Sequence, residues 1–170
     1  MFEFVSTRIF VAALPVFLAG LQGCGTTAAL DFEPVIAQFF LETAPADPNA
    51  NVVTLPNSKV EIPVAPSVVF FEGDIADVEL VKVDLGLCLM FVFTPEAAKS
   101  LHRVSASNLG RRLVVTLNGR AFGARLFDVP IDHGRLFIFV ELSDEELTET
   151  ALSLKRTAAH VQEAANRGRS

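Results

Sequence analysis

The chain is 170 residues long, 51% hydrophobic and 20% charged, which is typical of one folded domain with short additions and not of a disordered protein. Its net charge of −6 argues against a general nucleic-acid-binding protein, which needs a basic surface. The aromatic residues are 15 phenylalanines, with no tyrosine and no tryptophan. Because phenylalanine has no polar atom to offer a ligand, these rings predict a core and argue against a sugar-binding surface.

A short apolar run near the N-terminus indicates a processing signal. Residues 9–21 carry no charge over 13 positions, which is too short for a membrane-spanning helix of about 20 residues and fits the core of a signal peptide. The segment Leu21-Gln22-Gly23-Cys24 that follows resembles a bacterial lipobox, in which the cysteine receives the lipid. Gln22 departs from the small residue that is usual there. The alternatives are an uncleaved anchor, or an ordinary secretory signal that leaves Cys24 as a free thiol.

The resemblance to a lipobox implies cleavage after Gly23 and a lipid on Cys24. Gly25 follows the cysteine without an acidic residue, which resembles lipoproteins routed to the outer membrane of bacteria with two membranes. We therefore expect a lipid-anchored protein on the periplasmic side of the cell envelope. The chain then divides into a signal peptide at 1–23, a lipid attachment site and tether at 24–34, an α+β domain at 35–166 and a basic tail at 167–170.

The first half of the folded domain predicts strands. The apolar residues 35–42 indicate a first strand, and residues 43–51, rich in proline and asparagine, indicate a loop. Pro63 and Pro66 place any strand within 57–70 at a sheet edge, or interrupt it, because proline has no backbone N–H to donate.

A hairpin is predicted next along the chain. Residues 78–84 alternate between apolar and polar, and residues 87–93 are apolar on both faces, as expected for a central strand that is covered on both sides. Leu85-Gly86 is the predicted turn. Cys88 lies within the second strand with no basic neighbour in sequence, which indicates a buried, inert thiol.

A helix and a second hairpin follow. Thr94 is a good N-cap before Pro95, and Gly110 is the expected stop, so a helix is predicted between them. Asn118-Gly119 is a strong signal for a two-residue hairpin turn. The remaining strands are predicted at 111–117, 120–127 and 135–142.

The last predicted element is a helix that begins with a capping box, in which Ser143 caps and Glu146 reaches back. It is expected to run to about Asn166. Together the elements predict an α+β fold, an antiparallel sheet with two main helices packed on one face. The apolar stripe of this last helix consists of Leu147, Ala151, Leu154, Ala158, Val161 and Ala165.

Few residues suggest catalysis or metal binding. Asp132-His133 could serve an envelope hydrolase if it met a nucleophile such as Ser143 and an arginine such as Arg125. Ser143 is already used as a helix cap, and no Gly-x-Ser-x-Gly motif surrounds it. The histidines lack metal-ligand spacing, and the acidic stretch 72–79 lacks the order of a calcium loop. We therefore expect no enzyme, no metal and no cofactor, with the hydrolase as the alternative.

Charge is spread unevenly along the chain. Residues 31–96 carry 11 acids and two lysines, a balance of −9, whereas residues 99–135 carry seven bases and two acids, a balance of +5. If the arginines emerge on one side, they could bind acidic lipid headgroups or an acidic protein surface. A mixed, solvated surface is the alternative. The arginines of this possible interaction patch are Arg111, Arg112, Arg120 and Arg125.

Four motifs in the second half of the chain are "FTPEAAKSL", "NLGRRLVVTLNGRA", "PIDHGRLFI" and "SDEELTETAL". In this order they resemble the head of the first periplasmic domain of SecD, a subunit that accompanies the protein-export translocase. The resemblance covers about residues 52–154. It departs at Ala124-Arg125, where the family often has Ala-Pro, and no glycine precedes the last helix. The matching positions are Phe93, Thr94, Glu96, Ala98, Asn108, Gly110, Leu117, Gly119, Pro130, Ile131, Gly134, Glu145 and Glu146.

The resemblance implies a head domain that contacts emerging polypeptide. It does not extend to the membrane-spanning segments of the family, so it does not imply the proton-driven export motor. We therefore expect a non-catalytic, lipid-anchored periplasmic domain that binds a protein or peptide client, or the export machinery. Sheet edges near the prolines could accept an extended segment by strand addition. A structural lipoprotein of an envelope complex is a further interpretation.

Overall fold

The computed structural model describes residues 31–168. The predicted signal peptide, Cys24 and the last two residues of the predicted basic tail lie outside the described residues. Within the described residues, no helix combines the length and the apolar character needed to cross a membrane. The elements in chain order are β1 (Ala37–Glu42), β2 (Asn51–Thr54), β3 (Glu61–Phe71), a 3₁₀ turn (Glu72–Asp74), β4 (Ile75–Val83), β5 (Gly86–Phe93), α1 (Pro95–Ser107), β6 (Arg112–Leu117), β7 (Arg120–Leu126), β8 (Arg135–Ile138) and α2 (Asp144–Arg167).

The strands form two antiparallel sheets, one ordered β2-β3-β1-β6-β7 and the other β4-β5-β8. The predicted α+β class is confirmed, but two sheets replace the single predicted one. The reason lies in residues 135–142, which were predicted as one strand. Residues 135–138 pair with β5, whereas Val140 forms a bridge with Gly123 of β7. One extended stretch therefore crosses from the smaller sheet to the larger one.

The main core takes side chains from both sheets and both helices, and phenylalanine lies at its centre. Phe39 on β1 has no exposed surface. Its ring centroid lies 5.1 Å from that of Phe91, 5.7 Å from that of Phe93 and 6.4 Å from that of Phe70. The rings meet edge-on or tilted, which is the favourable geometry for aromatic pairs. The prediction that phenylalanine rings fill a core is confirmed for these four.

The prolines of β3 do not confine that strand to an edge, since β3 pairs with both β2 and β1. The pairing with β1 is irregular, with register shifts on both sides of the Phe40–Val68 pair, and Pro66 lies within this irregular stretch. Pro63 has no N–H to donate, and its carbonyl accepts from the Thr43 N–H at 2.9 Å. The strand is thus internal around Pro63, whereas residues 65–71, which include Pro66, keep one unpaired side. The predicted interruption takes the form of bulges.

β4 and β5 form the predicted hairpin, with β5 as the central strand of the smaller sheet. The turn lies one residue earlier than predicted, because Val83 pairs with Gly86 and leaves Asp84-Leu85 as the two-residue loop. Gly86 has a φ of +123°, a conformation that other residues rarely adopt.

Both helices begin at the predicted caps. Thr94 Oγ1 accepts from the Ala97 N–H at 3.4 Å, and Ser143 Oγ accepts from the Glu146 N–H at 3.3 Å. α1 ends at Ser107, and α2 runs one residue beyond the predicted end.

The predicted apolar stripe of α2 is buried in its first four members only. Val161 is half-buried and Ala165 is exposed, because the last turns of α2 extend beyond the core. Thr157, which the stripe omitted, is buried and its hydroxyl accepts from the Val35 N–H at 3.1 Å. This hydrogen bond holds the residues just before β1 against α2.

The loop between β2 and β3 is tied to the residues that follow β8. The Glu141 carboxylate accepts from the Asn57 N–H at 2.6 Å and the Ser58 N–H at 3.0 Å. The β2–β3 hairpin thereby bends towards β7, and a small second core forms behind it around Leu55 and Ile62.

The Glu141 contact predicts a dependence of stability on pH. Partial burial raises the pKa of Glu141, but hydrogen bonds from Ser58 and Asn57 and the charge of Lys59 outweigh it, so the net pKa is lowered. A carboxylate with a lowered pKa contributes its full stabilisation when the pH is above the ordinary glutamate pKa of about 4.3. This contribution is lost as the pH falls through the lower pKa that the group has in the folded state. Urea unfolding should show Glu141→Gln less stable by roughly 1 kcal/mol at pH 7, with the difference shrinking below pH 4.

The matched control for that measurement is Glu149→Gln, an exposed position on α2. Asp128 and Glu146 also have a lowered pKa and contribute to the pH profile of every variant alike. The difference between wild type and variant therefore isolates Glu141. A difference that stays constant from pH 7 to pH 3 would contradict the role assigned to its carboxylate.

Candidate functional site

The residues of the predicted hydrolase site contact other partners. The Asp132 carboxylate lies 2.9 Å from Nδ1 of His102 on α1, and the histidine next to Asp132 is exposed. Arg125 forms an ion pair with Asp128 at 2.8 Å. The Ser143 hydroxyl donates to the carboxylate of its own capping box at 2.7 Å. These contacts hold loops and helix ends in place, and they do not bring a nucleophile and a base together.

The contact between Asp132 and His102 joins residues far apart in sequence, and adjacency in sequence could not reveal it. A second tie lies beside it. The buried Ser105 hydroxyl accepts from the Ile131 N–H at 2.9 Å and donates to the His102 carbonyl at 3.1 Å. Together they hold the loop 128–134 against α1 and fix the position of Ile131.

The four arginines of the predicted patch do not share one environment. Arg112 pairs with Glu42 at 3.4 Å, and Arg125 pairs with an acid of the following loop. Arg120 lies at the other end of the hairpin from Arg125, with its guanidinium 5.4 Å from the centre of the Phe122 ring. Two of the four charges are thus already compensated, and a common binding patch stays a prediction.

The remaining candidates fall into ordinary structural roles. Cys88 is fully buried, and burial raises the pKa of its thiol, which disfavours the reactive thiolate. Across residues 31–168, no three His, Cys, Asp or Glu side chains lie close enough together to hold a metal ion.

An apolar groove lies beside β8 and has a volume of about 370 Å³. β8 alternates between buried and exposed residues, so Leu136 and Ile138 enter the core while Phe137 lies on the other face. Phe137 remains 38% exposed and Phe139 40% exposed. Leu85, at the tip of the β4–β5 hairpin, is 85% exposed. Exposed aromatic and aliphatic side chains around a concave surface are typical of a binding site.

Three charged residues also line this groove: Arg125, Arg135 and Asp84. Arg125 is partly neutralised by its ion pair with Asp128. Arg135 and Asp84 are exposed and form no ion pair within the described part of the chain. The groove therefore offers an apolar floor with two uncompensated charges at its rim.

A second exposed feature is the later half of β3. β2 pairs with residues 61–64 only, so in the described chain no strand pairs with that side of residues 65–71. Val68 is 40% exposed and Phe71 50% exposed along it. An unpaired strand edge can accept another extended segment through its backbone. Pro66 and the bulges shorten the regular part of this edge.

Sequence reasoning identified the β8 strand but missed the groove. The signal was present in "RLFIF", where Phe137 and Phe139 occupy the positions that alternate with buried residues. Period-2 alternation normally places polar residues on the exposed face, so two phenylalanines there mark an apolar surface. The other walls come from distant segments, which one strand's pattern does not reveal.

Comparison with known proteins identifies a relative of this domain. No protein-family model matches the chain. The protein translocase subunit SecDF of Thermus thermophilus is 36% identical over 84 residues, which is 49% of this chain and 11% of that protein. The chain thus spans about a tenth of the length of this curated relative.

Solved structures of SecDF have a similar fold. One, in the super-membrane-facing form, has a TM-score of 0.56 and 25% identity, covering 71% of this chain and 18% of that one. Another, described as a membrane component that enhances protein export, has a TM-score of 0.55 and 23% identity, covering 72% of this chain and 62% of that one.

Proposed function

Because the folded domain of this chain is homologous to part of SecDF, we propose that it is a non-catalytic, lipid-anchored periplasmic domain that binds extended polypeptide during protein export. The homology supports the link to export and the envelope location. The observation that carries the binding role is the groove beside β8, with Phe137, Phe139 and Leu85 exposed around it. An unfolded segment presents apolar side chains that such a groove can bury.

The size of the groove suits a short extended segment. Its volume of about 370 Å³ lies in the range of small-ligand sites, and the groove is open to solvent beside β8. Apolar side chains would be desolvated there, at about 25 cal/mol for each Å² removed from water. The backbone of the segment would remain partly solvated, so the interaction would be weak and reversible, as passage of a moving chain requires.

The lipid anchor is the second part of the proposal and rests on Cys24. Intact mass of the protein purified from membranes should show a lipid-modified N-terminal cysteine. Cys24→Ser should abolish the lipid mass and leave the domain folded. An unmodified mass would contradict the anchor and leave the binding role open.

Binding is tested with the purified domain and capped, fluorescent peptides of six to eight residues rich in Leu, Val and Phe. We expect micromolar to millimolar binding by fluorescence anisotropy. Phe137→Ser should weaken it about tenfold, because the substitution removes an aromatic side chain from the groove.

The matched control is Leu152→Ser, which replaces a 51% exposed apolar residue on α2 outside the groove. It should leave peptide binding unchanged. Thermal unfolding of both variants establishes that the fold persists. The proposal fails if wild type binds none of the peptides, or if Phe137→Ser and Leu152→Ser affect binding equally.

A further inference from the structure

The groove beside β8 has charged groups at its two ends. Arg135 pairs across the sheet with Val92 of β5, whereas Asp84 lies in the turn next to Gly86. Val92 and Gly86 are six positions apart on β5, which corresponds to about 20 Å at roughly 3.3 Å per residue. An extended segment of about six residues therefore spans the groove from one charge to the other.

These end charges are available to a ligand. Neither Arg135 nor Asp84 forms an ion pair with any residue between 31 and 168. Arg125, which also lines the groove, is paired with Asp128 and offers less net charge. The unpaired charges of Arg135 and Asp84 thus lie apart along the groove, and Phe137 lies between them.

We propose that the groove selects extended segments with an apolar centre, an acidic residue at the end that meets Arg135 and a basic residue at the end that meets Asp84. The inference rests on the proposed polypeptide binding and adds the class of segment that is bound. The apolar centre supplies most of the affinity, and the end charges supply selectivity and orientation. A segment with like charges at both ends places one of them against a like charge of the groove.

The experiment uses the full folded domain and four capped peptides that share the centre Val-Leu-Phe-Leu. Their flanking residues are Asp and Lys, Asn and Gln, Asp and Asp, or Lys and Lys. At low salt, the Asp–Lys peptide should bind about twofold to fivefold more tightly per ion pair than the Asn–Gln peptide, the range for exposed ion pairs. The preference should fade at 0.5 M salt.

Substitutions then assign the two ends. Arg135→Glu should remove the advantage of the Asp–Lys peptide and favour the Lys–Lys peptide, and Asp84→Asn should remove the advantage of the lysine alone. The control is Arg156→Glu, which makes the same change of charge at an exposed arginine on α2. It shows how far a change in the net charge of the protein alone affects peptide binding.

The outcomes separate the two proposals. If none of the four peptides binds wild type, the proposed polypeptide binding fails. If all four bind with equal affinity, polypeptide binding stands and charge selection is overturned. Charge selection is also overturned if Arg156→Glu shifts the preference as much as Arg135→Glu does.

Discussion

Replacing Phe39 with alanine should lower the free energy of unfolding by about 3–5 kcal/mol, the range for removal of a fully buried aromatic side chain. The ring has no exposed surface and contacts three other rings of the core. Phe91 and Phe93 belong to the smaller sheet, whereas Phe39 and Phe70 belong to the larger one. The cavity would therefore open where the two sheets meet, and the surrounding strands could close it only by moving together.

Urea unfolding followed by circular dichroism measures this effect. Phe71→Ala is the matched control, because it makes the same substitution at a side chain that is 50% exposed at the end of β3. Its cost should stay near 1 kcal/mol, since burying half a side chain gains less. A Phe39→Ala loss as small as that of Phe71→Ala would contradict the central place of this ring.

Gly123→Ala should lower the free energy of unfolding by about 1–3 kcal/mol, although it adds a single methyl group. A Cβ at this position would collide with the Phe139 carbonyl and would lie 3.1 Å from both Ile138 Cγ2 and Val140 Cα. The Phe139 carbonyl belongs to the backbone and cannot rotate away as a side chain can. Strand β7 and the stretch 138–140, which crosses between the two sheets, would therefore have to move apart. The Glu141 N–H, which donates to the Phe122 carbonyl at 2.6 Å, would lose its partner as well.

Gly168→Ala provides the control for that substitution. Gly168 caps α2 with a helical φ of −75°, and among the described residues the nearest atoms to its Cβ position are the Ala164 and Ala165 carbonyl oxygens at 3.8 Å. The same change should therefore be neutral or slightly stabilising. Chemical denaturation of both variants decides the matter, and equal stabilities would show that the crossing tolerates a side chain.

Local signals in the sequence predicted most elements of the fold. The caps at Thr94 and Ser143 and the turn at Asn118-Gly119 act within a few residues, and each lies where it was predicted. The two-sheet arrangement was not predictable in this way. It depends on the close approach of Gly123 to the segment after Ile138, which joins positions that no short pattern links.

The candidate site was predicted less well, for the same physical reason. The groove is assembled from the β4–β5 turn, the end of β7, the loop before β8 and β8 itself. Arg125 and Ile131 were noted in the sequence for other reasons, and Asp132-His133 suggested chemistry that the pairing with His102 does not support. A concave surface is a property of how segments pack, so residue type and spacing alone do not reveal it.

The way the chain enters the fold has a mechanical consequence. Ile36 and Asn118 exchange two hydrogen bonds of 2.9 Å, and β1 then runs between β3 and β6. A pull on the residues ahead of this point is directed along β1, where the hydrogen bonds to both neighbours lie across the load and must yield together. With the proposed tether on one side and the proposed polypeptide in the groove on the other, the domain would carry tension without unfolding from its first strand.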